Sequence, residues 1–114
     1  MSQIITDEII LEVIDKGLSV LGESPKQAVW YYLENSLSFK RNKVPENIEE
    51  FEKALQDFFG LGYSFLRNIL LQQLQEITGE DLHYYATFAD CIKNLRKKQL
   101  HIATSDELEL IPIH

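Results

Sequence analysis

The residue types that most often carry metal binding or nucleophilic catalysis are scarce in this chain of 114 residues, which has three histidines and one cysteine. His83, His101 and His114 lack metal-ligand spacing, since none forms an HxxxH pair and none has a cysteine partner. Cys91 falls on the apolar face of a predicted helix, where a small buried hydrophobe is expected rather than an exposed, electropositive nucleophile. These four residues therefore predict neither a metal site nor nucleophilic chemistry.

The carboxylates are numerous, but their positions have a structural explanation. Glu49, Glu50 and Glu52 stand at the start of a predicted helix, where the helix dipole favours acids. No pair stands in an apolar setting as a general acid and base would. The sequence Gly60-Leu61-Gly62 lacks the preceding strand and the following lysine of a phosphate-binding loop. We therefore predict no catalytic, cofactor-binding or metal-binding residue and no enzymatic activity.

Two clusters of basic residues remain as candidates for binding a charged ligand. They comprise Lys40, Arg41 and Lys43 in one segment, and Lys93, Arg96, Lys97 and Lys98 in another. If the fold brought them together, they could hold a nucleic-acid backbone. The formal net charge of -7 and the surrounding acids weigh against this alternative. Neither cluster needs a ligand to explain it. The first fits a solvated loop, and the second fits the C-terminal end of a helix, where the helix dipole favours cations.

Aromatic residues outside the predicted core favour a protein-protein interface. Trp30 lies at the rim of its helical arc, Tyr31 stands among polar neighbours, and Tyr85 is at the edge of its arc. The candidate interaction residues are these three aromatics and three residues of the second basic cluster, Lys93, Arg96 and Lys97.

Five amphipathic segments predict an all-α fold, a compact bundle of about five helices. The expected helices span approximately residues 7–21, 25–37, 48–59, 63–77 and 84–98. Thr6 is the predicted N-cap of the first helix, and Ser24 that of the second, within a capping box. Gly22 and Gly60 are expected to end the first and third helices.

The first helix carries apolar residues over about half of its circumference, at Ile9, Ile10, Leu11, Val13, Ile14, Leu18, Val20 and Leu21. A stripe this wide needs more than one packing partner. Either the helix is central in the monomer, or part of it packs against another chain. We therefore expect a homodimer formed through this helix or through the C-terminal tail.

Residues 1–99 form the predicted helical domain, and residues 100–114 form a tail of different character. Two alternating stretches around a turn allow a short β-hairpin in the tail, and disorder is the competing interpretation. No apolar run approaches the roughly 20 residues of a membrane-spanning helix, and the N-terminus lacks the features of a secretory signal. Together with the single cysteine, this predicts a cytoplasmic protein without a membrane partner.

The run from Gly22 to Leu95 resembles small archaeal domains of the NitrOD5 type. The resemblance is carried by Leu21-Gly-Glu-Ser-Pro-Lys-Gln-Ala-Val-Trp-Tyr-Tyr-Leu-Glu-Asn35, and by Val44-Pro-Glu-Asn before an acidic helix that ends Phe58-Phe59-Gly60. It implies a regulatory output module of an archaeal signalling or transcription-associated system. Its matching positions are helix caps and core residues, so it implies no active site.

The sequence therefore predicts a non-enzymatic regulatory or protein-interaction module that forms a homodimer and binds another protein. One alternative is a nucleic-acid-associated protein that uses the two basic clusters. Another is a small-molecule sensor whose apolar pocket would be lined by Phe51, Phe58, Tyr63 or Tyr84.

Overall fold

The computed structural model describes residues 5–81 and 87–97. These residues form the predicted all-α bundle, and none of them is in a strand. The helices are α1 (Asp7–Leu21), α2 (Glu23–Tyr31), α3 (Ile48–Phe59), α4 (Tyr63–Thr78) and α5 (residues 88–97). The tail of residues 100–114, predicted as a hairpin or as disordered, lies outside the described residues.

Helix α1 has the ends that the sequence predicts. The Thr6 side chain accepts a hydrogen bond from the Ile9 amide at 3.2 Å, which satisfies one of the free N–H groups of the first turn. Asp7 and Glu8 occupy that turn, where the positive end of the helix dipole stabilises them. Gly22 ends the helix at φ 115°, a conformation that residues with a Cβ rarely adopt.

The predicted start of α2 at Ser24 is wrong. The helix begins at Glu23, with Gly22 as its N-cap and no side chain capping it. The Lys26 amide donates to the Gly22 carbonyl at 3.2 Å and closes the first turn. Gly22 therefore serves both as the end of α1 and as the start of α2, and Ser24 lies inside the first turn.

The connection from α2 to α3 contains more regular structure than the basic loop that the sequence predicts. A π-helical turn, Tyr32–Ser36, prolongs α2. The chain then reverses where the Phe39 amide donates to the Leu33 carbonyl at 2.7 Å. Two 3-10 turns lead into α3, namely Arg41–Lys43 and Pro45–Asn47.

Helices α3 and α4 begin and end close to the predicted positions. Asn47 precedes α3, but its side chain donates to the Lys43 carbonyl at 2.9 Å instead of capping the helix. A short 3-10 turn, Gly60–Gly62, joins the two helices. Helix α4 ends at Gly79, whose φ of 73° and ψ of 8° place it in the left-handed region favoured after helix ends.

Helix α1 is central in the bundle, which accounts for its wide apolar stripe within a single chain. It packs against α2 and α4 and completely buries Ile10, Val13, Ile14 and Leu18. A Cβ on Gly17 would lie only 2.6 Å from Leu70 Cδ2, so the glycine allows α1 and α4 to approach closely. Among the apolar residues of the stripe, Val20 remains 59% exposed.

Candidate functional site

Trp30, one of the predicted interaction residues, is held within the fold. Its Nε1 donates to Asp15 Oδ1 at 3.2 Å, and its ring stacks on Phe51 with 6.2 Å between centroids. The Arg41 guanidinium lies 5.4 Å from the centroid of the Trp30 ring and also donates to Asp15. This cation-π arrangement gives Trp30 a structural role between α1, α2 and α3.

Tyr31 has the surface position that the sequence predicts for an interaction residue. Its exposed fraction is 69%, and its backbone carbonyl accepts a hydrogen bond from Asn35 Nδ2 at 3.0 Å. Tyr32, the next residue, packs on Phe58 with 5.1 Å between ring centroids, so Tyr31 lies close to the end of α3. Tyr85, the other predicted tyrosine, lies outside the described residues.

Three residues of the two basic clusters are paired with acids of the same chain. Arg41 donates to Asp15, as described above, and ion pairs join the ends of distant segments at Lys93–Glu49 and Arg96–Asp7. The hydrogen bond that Glu49 accepts raises the pKa of Lys93. Lys97 is exposed, and Lys98 lies outside the described residues.

The fold places parts of both basic clusters beside the start of α3 without combining their charge. One groove is lined by Lys40 and Lys43, and its neighbour by Lys93 and Arg96. Glu50 lies in the wall of both grooves. An acid between the clusters reduces the positive potential that a phosphate backbone would need.

Helix α5 is attached to the bundle by a buried carboxylate that the sequence analysis missed. Glu52 is only 4% exposed. Its Oε1 accepts from the Ala89 amide at 3.0 Å, and its Oε2 accepts from the Phe88 amide at 3.0 Å and from the Tyr63 hydroxyl. Both oxygens therefore satisfy donors at the N-terminus of α5, where a negative charge is favoured. The sequence contains one signal for this position, because Glu52 follows Ile48 by four residues and precedes Leu55 by three, which places it on the buried side of α3.

The surroundings of Glu52 suppress ionisation of the two neighbouring acids. Burial, and then the hydrogen bond to Glu52, raise the pKa of Tyr63 far above its ordinary value. Burial, and then the charges of Asp90 and Glu52, raise the pKa of Cys91 to about 12. A thiol that stays protonated and fully buried has neither the charge nor the access of a nucleophile.

The parts of the chain that the structure describes hold no group of three histidine, cysteine, aspartate or glutamate residues placed to share a metal ion. All three histidines lie outside those parts. Within residues 5–81 and 87–97, no helix combines the length and the apolar content needed to cross a membrane.

Large apolar side chains are exposed where α3 passes into α4. The exposed fraction is 38% for Phe58, 100% for Leu61 and 63% for Phe65. Phe58 lies near the end of α3, where its ring packs at the surface on Tyr32. We call Phe58, Leu61 and Phe65 the apolar corner. Leu61 stands between two glycines in the 3-10 turn that joins α3 to α4.

The residues predicted to line an apolar pocket do not converge. Phe51 is fully buried against Trp30, Tyr63 is buried against Glu52, and Phe58 belongs to the apolar corner. None of these three aromatics lines the grooves of the described residues that run past Glu46, Asn35, Gln56 or Phe39. Tyr84 lies outside the described residues.

A scan against protein-family models and searches of curated proteins and of solved structures gave no match to this chain. The resemblance of the run from Gly22 to Leu95 to NitrOD5-type domains therefore stays a prediction.

Proposed function

We propose that this chain is a non-enzymatic regulatory and protein-interaction module that acts in the cytoplasm as a homodimer. The observation that carries the proposal is the apolar corner, because large patches of exposed apolar side chains often mark contact sites. The regulatory role is what the resemblance to NitrOD5-type output domains implies. The single cysteine, buried as a free thiol, suits a reducing compartment.

The state of the polar groups supports an interaction role over a chemical one. Glu52 accepts three hydrogen bonds at a helix terminus, and the Cys91 thiol is buried and protonated. Arg41, Lys93 and Arg96 form ion pairs within the chain. Groups that already stabilise the fold are less available to a substrate or a phosphate backbone.

The proposal is tested by light scattering and sedimentation equilibrium on the wild-type chain from low to high micromolar concentration. We expect the mean mass to rise from that of one chain, 13.3 kDa, toward that of two. A mass that stays at one chain throughout would rule out the homodimer.

A second measurement separates this function from nucleic-acid binding. We expect no change in the anisotropy of fluorescent duplex DNA at about 50 mM salt, where electrostatic binding is strong. Binding that appears there, and that disappears in Lys43→Glu and Lys97→Glu variants, would favour the nucleic-acid alternative.

A further inference from the structure

We infer that the apolar corner is the dimer contact, and that its occupant is the same corner of a second copy of this chain. The inference rests on the proposed homodimer and replaces α1 as its contact surface. Helix α1 is surrounded by α2 and α4 within one chain, so its stripe needs no second copy to cover it.

Charge distribution is the first argument for a second copy. Two copies that each carry a formal charge of -7 repel each other. The repulsion is smallest where the facing surfaces have no charged side chains within a Debye length, about 8 Å at physiological salt. From Phe58 to Gln75, the one charged residue is Arg67, although charged residues make up 25% of the chain. Exposed Asp57 directly precedes this stretch, so the corner is poor in charge rather than free of it.

The exposed side of α4 beside the corner carries polar but uncharged residues. On the exposed side of α4, Phe65 is followed by Asn68 and Gln72, and Ser64 precedes it. Depletion of charged residues and enrichment of aromatic ones are the compositional marks of interface centres. A partner attracted by charge would instead be expected at the acidic segments of this chain.

Area is the second argument, and it also sets the expected strength. If a fully exposed large apolar side chain presents about 200 Å², the apolar corner exposes roughly 400 Å². A standard interface buries about 800 Å² on each partner, so the corner would form the centre of a small contact. The uncharged residues beside it on α4 would form the rim. We therefore expect a dimer of micromolar affinity at best, since small interfaces are usually weak.

The contact is isologous, because a twofold axis brings the same surface of each copy together. Each contact between two different residues of the corner then occurs twice, once in each direction across the twofold axis. Val20 is exposed on α1 and is not part of the apolar corner; Lys16 stands four residues before it and Glu23 three residues after it. A single exposed apolar residue of that kind is ordinary and needs no partner.

The test compares three single variants by sedimentation equilibrium. Leu61→Asp adds a charge at a fully exposed position, so it disturbs no core contact. Phe65→Gln removes apolar area without adding a charge. Val20→Asp is the matched control for Leu61→Asp, because it also replaces an exposed apolar side chain by aspartate, but at a site outside the corner. We expect dimerisation to weaken at least about tenfold in the first two variants and to stay at the wild-type value in the control.

Salt dependence provides a readout that is independent of the variants. The charge-poor contact predicts that raising NaCl from about 50 mM to about 500 mM leaves the dimer unchanged or strengthens it, because salt screens the repulsion between the copies. Weakening by salt would show that oppositely charged surfaces form the contact, which would overturn the inference.

The outcomes separate this inference from the proposed function. A wild-type dimer that Leu61→Asp and Phe65→Gln leave intact would show that the module self-associates through another surface. A wild-type monomer would remove the homodimer itself, and the corner contact with it. Thermal unfolding of each variant confirms folding, and if one variant unfolds, the other still decides the result.

Discussion

The buried carboxylate of Glu52 leads to the sharpest prediction for the fold. Glu52→Gln replaces an acceptor with two oxygens by an amide with one. If the amide oxygen faces Phe88 and Tyr63, the NH2 group faces the Ala89 amide. If the amide is turned over, the NH2 group faces the Phe88 amide instead. Either orientation leaves one backbone N–H of α5 without an acceptor.

The magnitude follows from that one lost acceptor. A hydrogen bond to a charged group contributes about 1.5–3 kcal/mol, and a buried unsatisfied donor costs about 1–3 kcal/mol. The neutral amide recovers part of this, because it avoids burying a charge. We therefore expect Glu52→Gln to lower the free energy of unfolding by about 2 kcal/mol, out of the roughly 5–15 kcal/mol usual for a domain.

Two single probes distinguish loosening of α5 from loss of the whole fold. Trp30, the only tryptophan, reports unfolding of the bundle around α2, and Cys91, the only cysteine, reports exposure of α5. In Glu52→Gln, urea unfolding followed by tryptophan fluorescence should shift to lower denaturant. Labelling of the Cys91 thiol by a disulfide reagent should accelerate by about 30-fold, which corresponds to 2 kcal/mol.

The matched control is Glu49→Gln, the same substitution one turn earlier on α3. Glu49 is exposed and pairs with Lys93 at the surface, where an ion pair contributes little. Its removal should leave both the unfolding midpoint and the Cys91 labelling rate close to wild type. Equal effects of the two substitutions would refute the role assigned to Glu52.

Three further changes have expected outcomes that follow from the packing and the pKa of a buried thiol. Gly17→Ala should lower the free energy of unfolding, measured in urea, by about 1 kcal/mol, because overpacking against fully buried Leu70 exceeds the gain in helix propensity. In a Leu70→Ala background, which makes room for the new methyl group, Gly17→Ala should instead stabilise the chain. Destabilisation in that background would contradict the close approach of α1 and α4. Arg41→Ala should cost about 1 kcal/mol of stability and shift the tryptophan emission, whereas Lys40→Ala should do neither. Stability should fall as pH rises from about 9 toward 12, because the thiol of Cys91 ionises near 8.5 when unfolded but at about 12 when folded. Urea titrations at both ends of that pH range should show a smaller fall in the free energy of unfolding for Cys91→Ala than for the wild type. An equal fall in the two proteins would contradict the burial of the thiol.

The sequence by itself determined the helical class and most helix ends. Helix ends depend on residues that act within one turn of their own position. Thr6 accepts a hydrogen bond at the start of α1, and Gly60 and Gly79 adopt backbone conformations with positive φ at the ends of α3 and α4. Apolar periodicity is equally local, so the arcs of α1 and α3 were predictable. The start of α2 was not, because Ser24 carries the local pattern of a cap, whereas in the fold Gly22 both ends α1 and precedes α2.

The candidate site was predictable only in part. Tyr31 is exposed as expected, and Trp30 and Arg96, which were predicted as interaction residues, also hold parts of the chain together. Periodicity describes one helix in isolation, and it cannot tell whether a neighbour covers the face that it identifies. For that reason it could not show that Phe58, predicted as a possible pocket residue, lies at the apolar corner.

Tertiary structure alone decided the partners of Glu52, Arg96 and Gly17. Glu52 lies 36 residues from the Phe88 amide that it accepts from, and Arg96 lies 89 residues from Asp7. Pairings at such separations depend on how the helices pack, which no local pattern encodes. The same packing places α1 at the centre of the bundle, and it leaves the corner between α3 and α4 uncovered because no other described element reaches across that turn.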